Sequence, residues 1–190
     1  MSATKVASFA PLRADVAEIL GRINYATMTT VDRRGRPRSR VLIAVWELDG
    51  DRPLGWLATF RTPVKAAHIA HNPHVGMSYW SPRQDTVSID NVAEWTDDPE
   101  VKHRVWELYR HGSPKGVGYD PRPFWPAGPD GPDFHVLRLT PWRVQVLRGR
   151  ELAAGIPPRI WQDDGSDESS AASTPVPLER GDQENSLPHD

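Results

Sequence analysis

Apolar residues recur at helical spacing near the start of the chain, where Leu12, Val16, Ile19, Leu20 and Ile23 predict a short amphipathic helix over 11–23. The pattern then changes to a β-prone run at 26–31, a turn at Asp32-Arg33-Arg34-Gly35 and a long second strand over 38–48. Asp49-Gly50-Asp51 turns the chain again, and 54–60 reads as a third strand. Thr62-Pro63 opens a helix running to about His71, with Thr62 as N-cap and Pro63 at the first helical position, where its missing N–H costs nothing. Asn72-Pro73 stops it. Strands follow at 75–79 and 86–95, and a helix opened by Asp97-Asp98-Pro99-Glu100 ends by Gly112. Two further strands, 134–139 and 142–147, flank Thr140-Pro141. About seven strands, with a helix crossing after the third, predict a mainly β protein. A small antiparallel β-barrel with flanking helices, one of them covering a barrel end, fits that order better than a doubly wound sheet.

Two stretches break the pattern. Between His111 and Asp133 stand six prolines and five glycines, with Tyr119, Phe124 and Trp125 among them; so many rings argue for a lid or a dimer contact rather than a linker. The stretch 151–190 holds nine acidic residues against Arg159 and Arg180, leaving the first 150 residues at +5 within a net charge of −2. Its low apolar content predicts disorder over most of its length. The resulting division is an arm at 1–11, a barrel domain at 12–150 and an acidic tail at 151–190.

Composition narrows the chemistry. The chain has no cysteine, which removes disulfides, iron–sulfur ligation and thiol nucleophiles, so redox chemistry here requires a borrowed cofactor. The first ten residues lack a basic segment followed by an apolar one, and no run is long enough to span a bilayer, so a cytoplasmic location is expected. The arginines of the basic body are scattered and accompany no nucleic-acid motif. His68, His71 and His74 recur at intervals of three, but Asn72-Pro73 interrupts the helix and no acidic or thiol ligand completes a set, so no metal site is assigned.

The candidate site lies at 56–65, where a strand enters a capped helix with a lysine in its first turn. Free N–H groups at a helix N-terminus attract anions, and Arg61, Lys65 and the hydroxyls of Thr59 and Thr62 fall beside them. Only four lysines occur against nineteen arginines, which makes Lys65 conspicuous. On the second strand Arg36, Arg38 and Arg40 share a face that continues as Leu42, Ala44 and Trp46, placing Arg40 where a basic surface becomes apolar.

The segments 26–42, 59–65 and 71–79, taken in order, resemble the pyridoxamine 5'-phosphate-oxidase-like FMN-binding split barrels, and are most similar to the general stress protein branch. The resemblance covers about residues 12–148. It implies a split β-barrel and a flavin phosphate held by Arg40, Thr59 and Lys65. Arg61 and Thr62 would be further phosphate ligands, and backbone near Val41 and Leu42 would meet the isoalloxazine edge. It also implies a homodimer with the cofactor between subunits, residues near Thr86 or Trp142 arriving from the other copy. Vitamin B6 oxidases of this kind carry an Arg-x-His segment near their end, and 140–149 has none, so B6 oxidation is not expected. The expected function is an FMN-dependent oxidoreductase. The alternatives are a reductase using the deazaflavin coenzyme F420 and a non-catalytic flavin- or haem-binding stress protein.

Overall fold

A computed structural model of the protein describes residues 2–163. The strands are β1 (Thr4–Val6), β2 (Ala26–Val31), β3 (Pro37–Leu42), β4 (Val45–Glu47), β5 (Leu54–Thr59), β6 (His74–Trp80), β7 (Thr86–Thr96), β8 (His135–Leu147) and β9 (Arg159–Gln162). The helices are α1 (Arg13–Arg22), α2 (Pro63–His71), α3 (Pro99–His111) and the short α4 (Gly149–Ala153).

Neighbouring strands run in the order β1-β9-β8-β7-β6-β2-β3, while β5 pairs with β8 and β4 with β5. Since β3 leads into β4 after two residues, the path returns on itself and closes a mainly β barrel. Every pairing is antiparallel except β1 with β9. Alternation sets the inward face: Ala26, Met28 and Thr30 of β2 are buried, as are Val87, Ile89, Asn91 and Ala93 of β7. Strand β5 is buried on both faces from Gly55 to Thr59, the barrel interior on one side and α3 on the other. At the centre Trp46 is fully buried and its indole N–H donates to the Tyr79 hydroxyl at 2.7 Å. Its ring lies over Gly55, its register partner, where a Cβ would stand 2.6 Å from a ring carbon, so no larger residue fits opposite.

Three differences from the sequence pattern have identifiable causes. The long second strand breaks at Ile43 and Ala44, because β3 pairs with β2 whereas β4 pairs with β5. The two terminal strands are one, β8: its first half pairs with β5, its second half with β9, and β7 runs along both. Where the partner changes, Trp142 is an extra residue between Pro141 and Arg143, a bulge at which proline's missing N–H is tolerated. Finally, Arg159–Gln162 and Thr4–Val6 both join the sheet, so it extends past the boundary drawn at residue 150 and takes in part of the arm. Trp161 is buried against Phe9, ring centroids 5.9 Å apart, an apolar contact diluted by the acidic residues around it in the sequence. The rest of the acidic tail, 164–190, lies outside the described residues. No helix among the described residues is long and apolar enough to cross a membrane.

Candidate functional site

Helix α2 starts as its sequence predicts. Thr62 is extended, its hydroxyl accepts the Lys65 backbone N–H at 3.4 Å, and Pro63 occupies the first turn. The helix buries Lys65 and Ile69. The Lys65 ammonium donates to the Thr59 hydroxyl and, at 3.0 Å, to the Phe60 carbonyl, which uses two of its three N–H groups. Burial, and secondly the nearby Arg40 guanidinium, lower its pKa from 10.5 to about 8.

Arg40 reaches the same place from β3. One guanidinium nitrogen donates to Thr30 Oγ1 at 3.0 Å, which leaves the Thr30 hydroxyl hydrogen for His68 Nδ1, 2.9 Å away on α2. The other terminal nitrogen, Nη1, is buried and has no partner. Burial, then repulsion from Arg38, disfavours the charged form of Arg40. Two mutually repelling cations are thus held at one barrel mouth, and no carboxylate among the described residues offsets either.

The remaining residues singled out by sequence are placed differently. Arg61 is half-exposed; its guanidinium lies 5.1 Å from the centre of the Trp95 ring and 3.8 Å from the Asp97 carboxylate. Thr62 is committed to capping. Val41 is 63% exposed, and Leu42 packs partly into the core, at the end of β3 beyond Arg40. Among the three spaced histidines, His68 supports Arg40 through Thr30, while His74 lies edge-on to Trp142. Sequence reasoning missed Thr30, His68 and the Phe60 carbonyl as members of the site. Thr30 carried a faint signal, a polar residue on the inward phase of β2 after Ala26 and Met28. A polar groove of about 380 Å³ is lined by Asp32, Arg36, Pro37, Arg38 and His68, the last of which is linked to Arg40 through Thr30.

A mainly β barrel with two cations gathered where a strand enters a capped helix is the arrangement of a split barrel. The profile of the pyridoxamine 5'-phosphate oxidase family matches residues 12–148, and the chain belongs to that family. Among solved structures, a Clostridium acetobutylicum protein related to general stress protein 26 of Bacillus subtilis is similar, with a TM-score of 0.62 at 15% identity, over 82% of this chain and 96% of that one. General stress protein 26 from Bacillus anthracis gives 0.55 at 19% identity, over 72% and 98% of the two chains. A pyridoxamine 5'-phosphate oxidase-related, FMN-binding protein from Nostoc punctiforme gives 0.56 at 24% identity, over 75% and 87%. These likenesses establish the split-barrel fold. No curated protein sequence matches the chain.

Proposed function

We propose that this protein binds a phosphorylated flavin, FMN in the first place, and uses it as an oxidoreductase other than a vitamin B6 oxidase. The observation that carries this is the uncompensated cation pair: Arg40 and Lys65 are held together without a carboxylate, and Arg40 Nη1 is a buried donor without an acceptor. Leaving such donors unpaired costs about 1–3 kcal/mol each, a cost that a bound dianion removes. A phosphate fits this donor set, with the Thr59 hydroxyl as a further contact and Arg61 and Thr62 at its outer edge. The exposed Val41 and the backbone of Leu42 would then face the flavin ring. When bound, a flavin supplies the hydride or electron transfer itself, so the side chains are asked only to bind, orient and shield it. The family and the FMN-binding relative from Nostoc punctiforme are in keeping with that assignment.

A homodimer with the flavin at the subunit contact belongs to the same proposal. Support comes from the exposed Tyr25, Val41 and Trp80 on or beside β2, β3 and β6, and from the buried Trp142 indole N–H, which lacks a partner. Coenzyme F420 is the second reading, favoured by one feature: the groove at Arg36, Arg38 and His68 would accommodate a longer anionic tail beyond the phosphate.

The absorption spectrum of the purified protein, followed by mass identification of what heat releases, tests both readings. FMN is the expected product; F420 would select the second reading, and a colourless protein that takes up neither would overturn the assignment. The double variant Arg40→Ala, Lys65→Ala should lose at least about a hundredfold in FMN affinity, since hydrogen bonds to charged groups contribute about 1.5–3 kcal/mol each. Unchanged affinity in that variant would remove these residues from the site.

A further inference from the structure

We infer that the end of α3 and the loop after it, residues 109–134, form a positioning brace for the cation site, with Tyr109 and Trp125 as its two attachments; its ligand test rests on the flavin-phosphate proposal. Tyr109 is almost fully buried, and its hydroxyl donates to the Ile43 carbonyl at 2.6 Å while accepting the Ala58 backbone N–H at 3.0 Å. Ile43 directly follows the strand that carries Arg40, and Ala58 directly precedes Thr59. One hydroxyl therefore ties the strand of the arginine to the strand of the threonine that receives Lys65.

The second attachment is at the start of α2. The Phe60 ring packs on Trp125 with centroids 5.4 Å apart, and the carbonyl of the same Phe60 accepts the Lys65 ammonium. The Trp125 indole N–H donates to the Asp133 carbonyl at 2.9 Å, closing the loop, and its ring meets Phe134 at 5.2 Å. An unbroken series of ring contacts joins the two attachments: Tyr109 to Tyr119 at 5.0 Å, Tyr119 to Phe124 at 5.4 Å and Phe124 to Trp125 at 5.9 Å. The root is equally tight, because a Cβ on Gly118 would stand 2.4 Å from the Tyr109 carbonyl oxygen. The aromatic residues that looked out of place in a Pro/Gly-rich loop thereby acquire a common role: they fix where Arg40, Thr59 and Lys65 stand relative to one another. A binding site loses affinity steeply when its groups shift by an ångström.

The test compares Tyr109→Phe, which removes one oxygen, Trp125→Ala, and Trp125→Phe as the conservative replacement. It reads FMN affinity by flavin fluorescence, the titration of the Lys65 ammonium by NMR, and thermal unfolding. Tyr109→Phe and Trp125→Ala should each weaken FMN by about tenfold and move the Lys65 titration away from that of the wild-type protein, with Trp125→Phe restoring both. Lower thermal stability with FMN affinity and Lys65 titration unmoved would reduce the loop to a structural element and overturn the inference. A wild-type protein that takes up no FMN would overturn the proposed function, and the Lys65 titration in Tyr109→Phe would still decide the brace.

Discussion

Arg148 is buried and Arg40 half-buried, and the two differ in what surrounds them. Arg148, at the end of β8, is almost fully buried and meets two carboxylates, Asp15 and Glu18 of α1; Asp15 in turn binds Arg159 of β9. Arg40, on β3, meets a threonine hydroxyl, a second cation and no carboxylate. The first arrangement is complete: it ties the helix to two strands and needs nothing further. The second is incomplete, since it brings like charges together and leaves a donor unused. A buried charge that the chain itself neutralises belongs to the fold, whereas one that it leaves unneutralised awaits a ligand of opposite sign.

Three changes separate the two centres and a fourth lies outside both, in decreasing order of effect. Arg148→Met takes one partner from Asp15, which keeps Arg159, and one from the exposed Glu18, which keeps Arg22, and should lower unfolding free energy by about 2 kcal/mol, measured by urea denaturation, with no change in FMN or phosphate binding. Lys65→Met should act in the opposite sense, raising the stability of the ligand-free protein by about 1 kcal/mol because it removes an unpaired buried charge, while abolishing phosphate binding. A loss of stability in Lys65→Met as large as that in Arg148→Met would erase the contrast.

The third separation is by pH. Burial opposes ionisation of Asp15, but its bonds to Arg148 and Arg159 and their charges outweigh that and leave its pKa below the usual 3.8. A carboxyl lowered on folding stabilises above its unfolded pKa, so this contribution should fade as pH falls below about 4. Lys65 gives the same slope in a different window but the opposite effect of charge: with a folded pKa of about 8 against 10.5, the unfolded chain holds more protons in between, and the charged form is disfavoured rather than favoured by folding. Stability of the ligand-free protein should therefore rise with pH from about 8 toward 10, and phosphate affinity should fall over the same range as the ammonium deprotonates. Unfolding curves across pH for wild type and Lys65→Met check this, the alkaline rise being absent from the variant. The smallest effect belongs to an exposed pair outside both centres: Glu107→Gln, which breaks its ion pair with Arg110, should change stability by less than about 0.5 kcal/mol.

Local signals carried much of the fold. The hairpin of β2 and β3 followed from alternation around a glycine turn, and the start of α2 from Thr62-Pro63. The candidate site was legible to the same depth: Lys65 from its place in a capped first turn, and Arg40 from the change in character of its strand. Arg61 shows where local reasoning stops. Its position beside a helix N-terminus suggests an anion ligand, and only the fold shows that the Trp95 ring and the Asp97 carboxylate, more than thirty residues away in the chain, also lie against it.

Elements whose signals lie within a few residues were legible in the chain: period-two strands, caps, turns, and the residue types able to hold a phosphate. Which strands pair depends on contacts between segments far apart in the chain. The 38–48 run reads as one continuous strand, yet it breaks at Ile43 and Ala44 because its two halves have different partners and Tyr109 holds the junction between them. Strand β8 continues through Pro141 because β7 spans the interruption, and β9 exists because β8 and β1 flank it. The cation site itself is of this second kind. Repulsion between Arg40 and Lys65 disfavours their approach in an open chain, and it is the hydrogen bonds and burial of the closed barrel that hold them together.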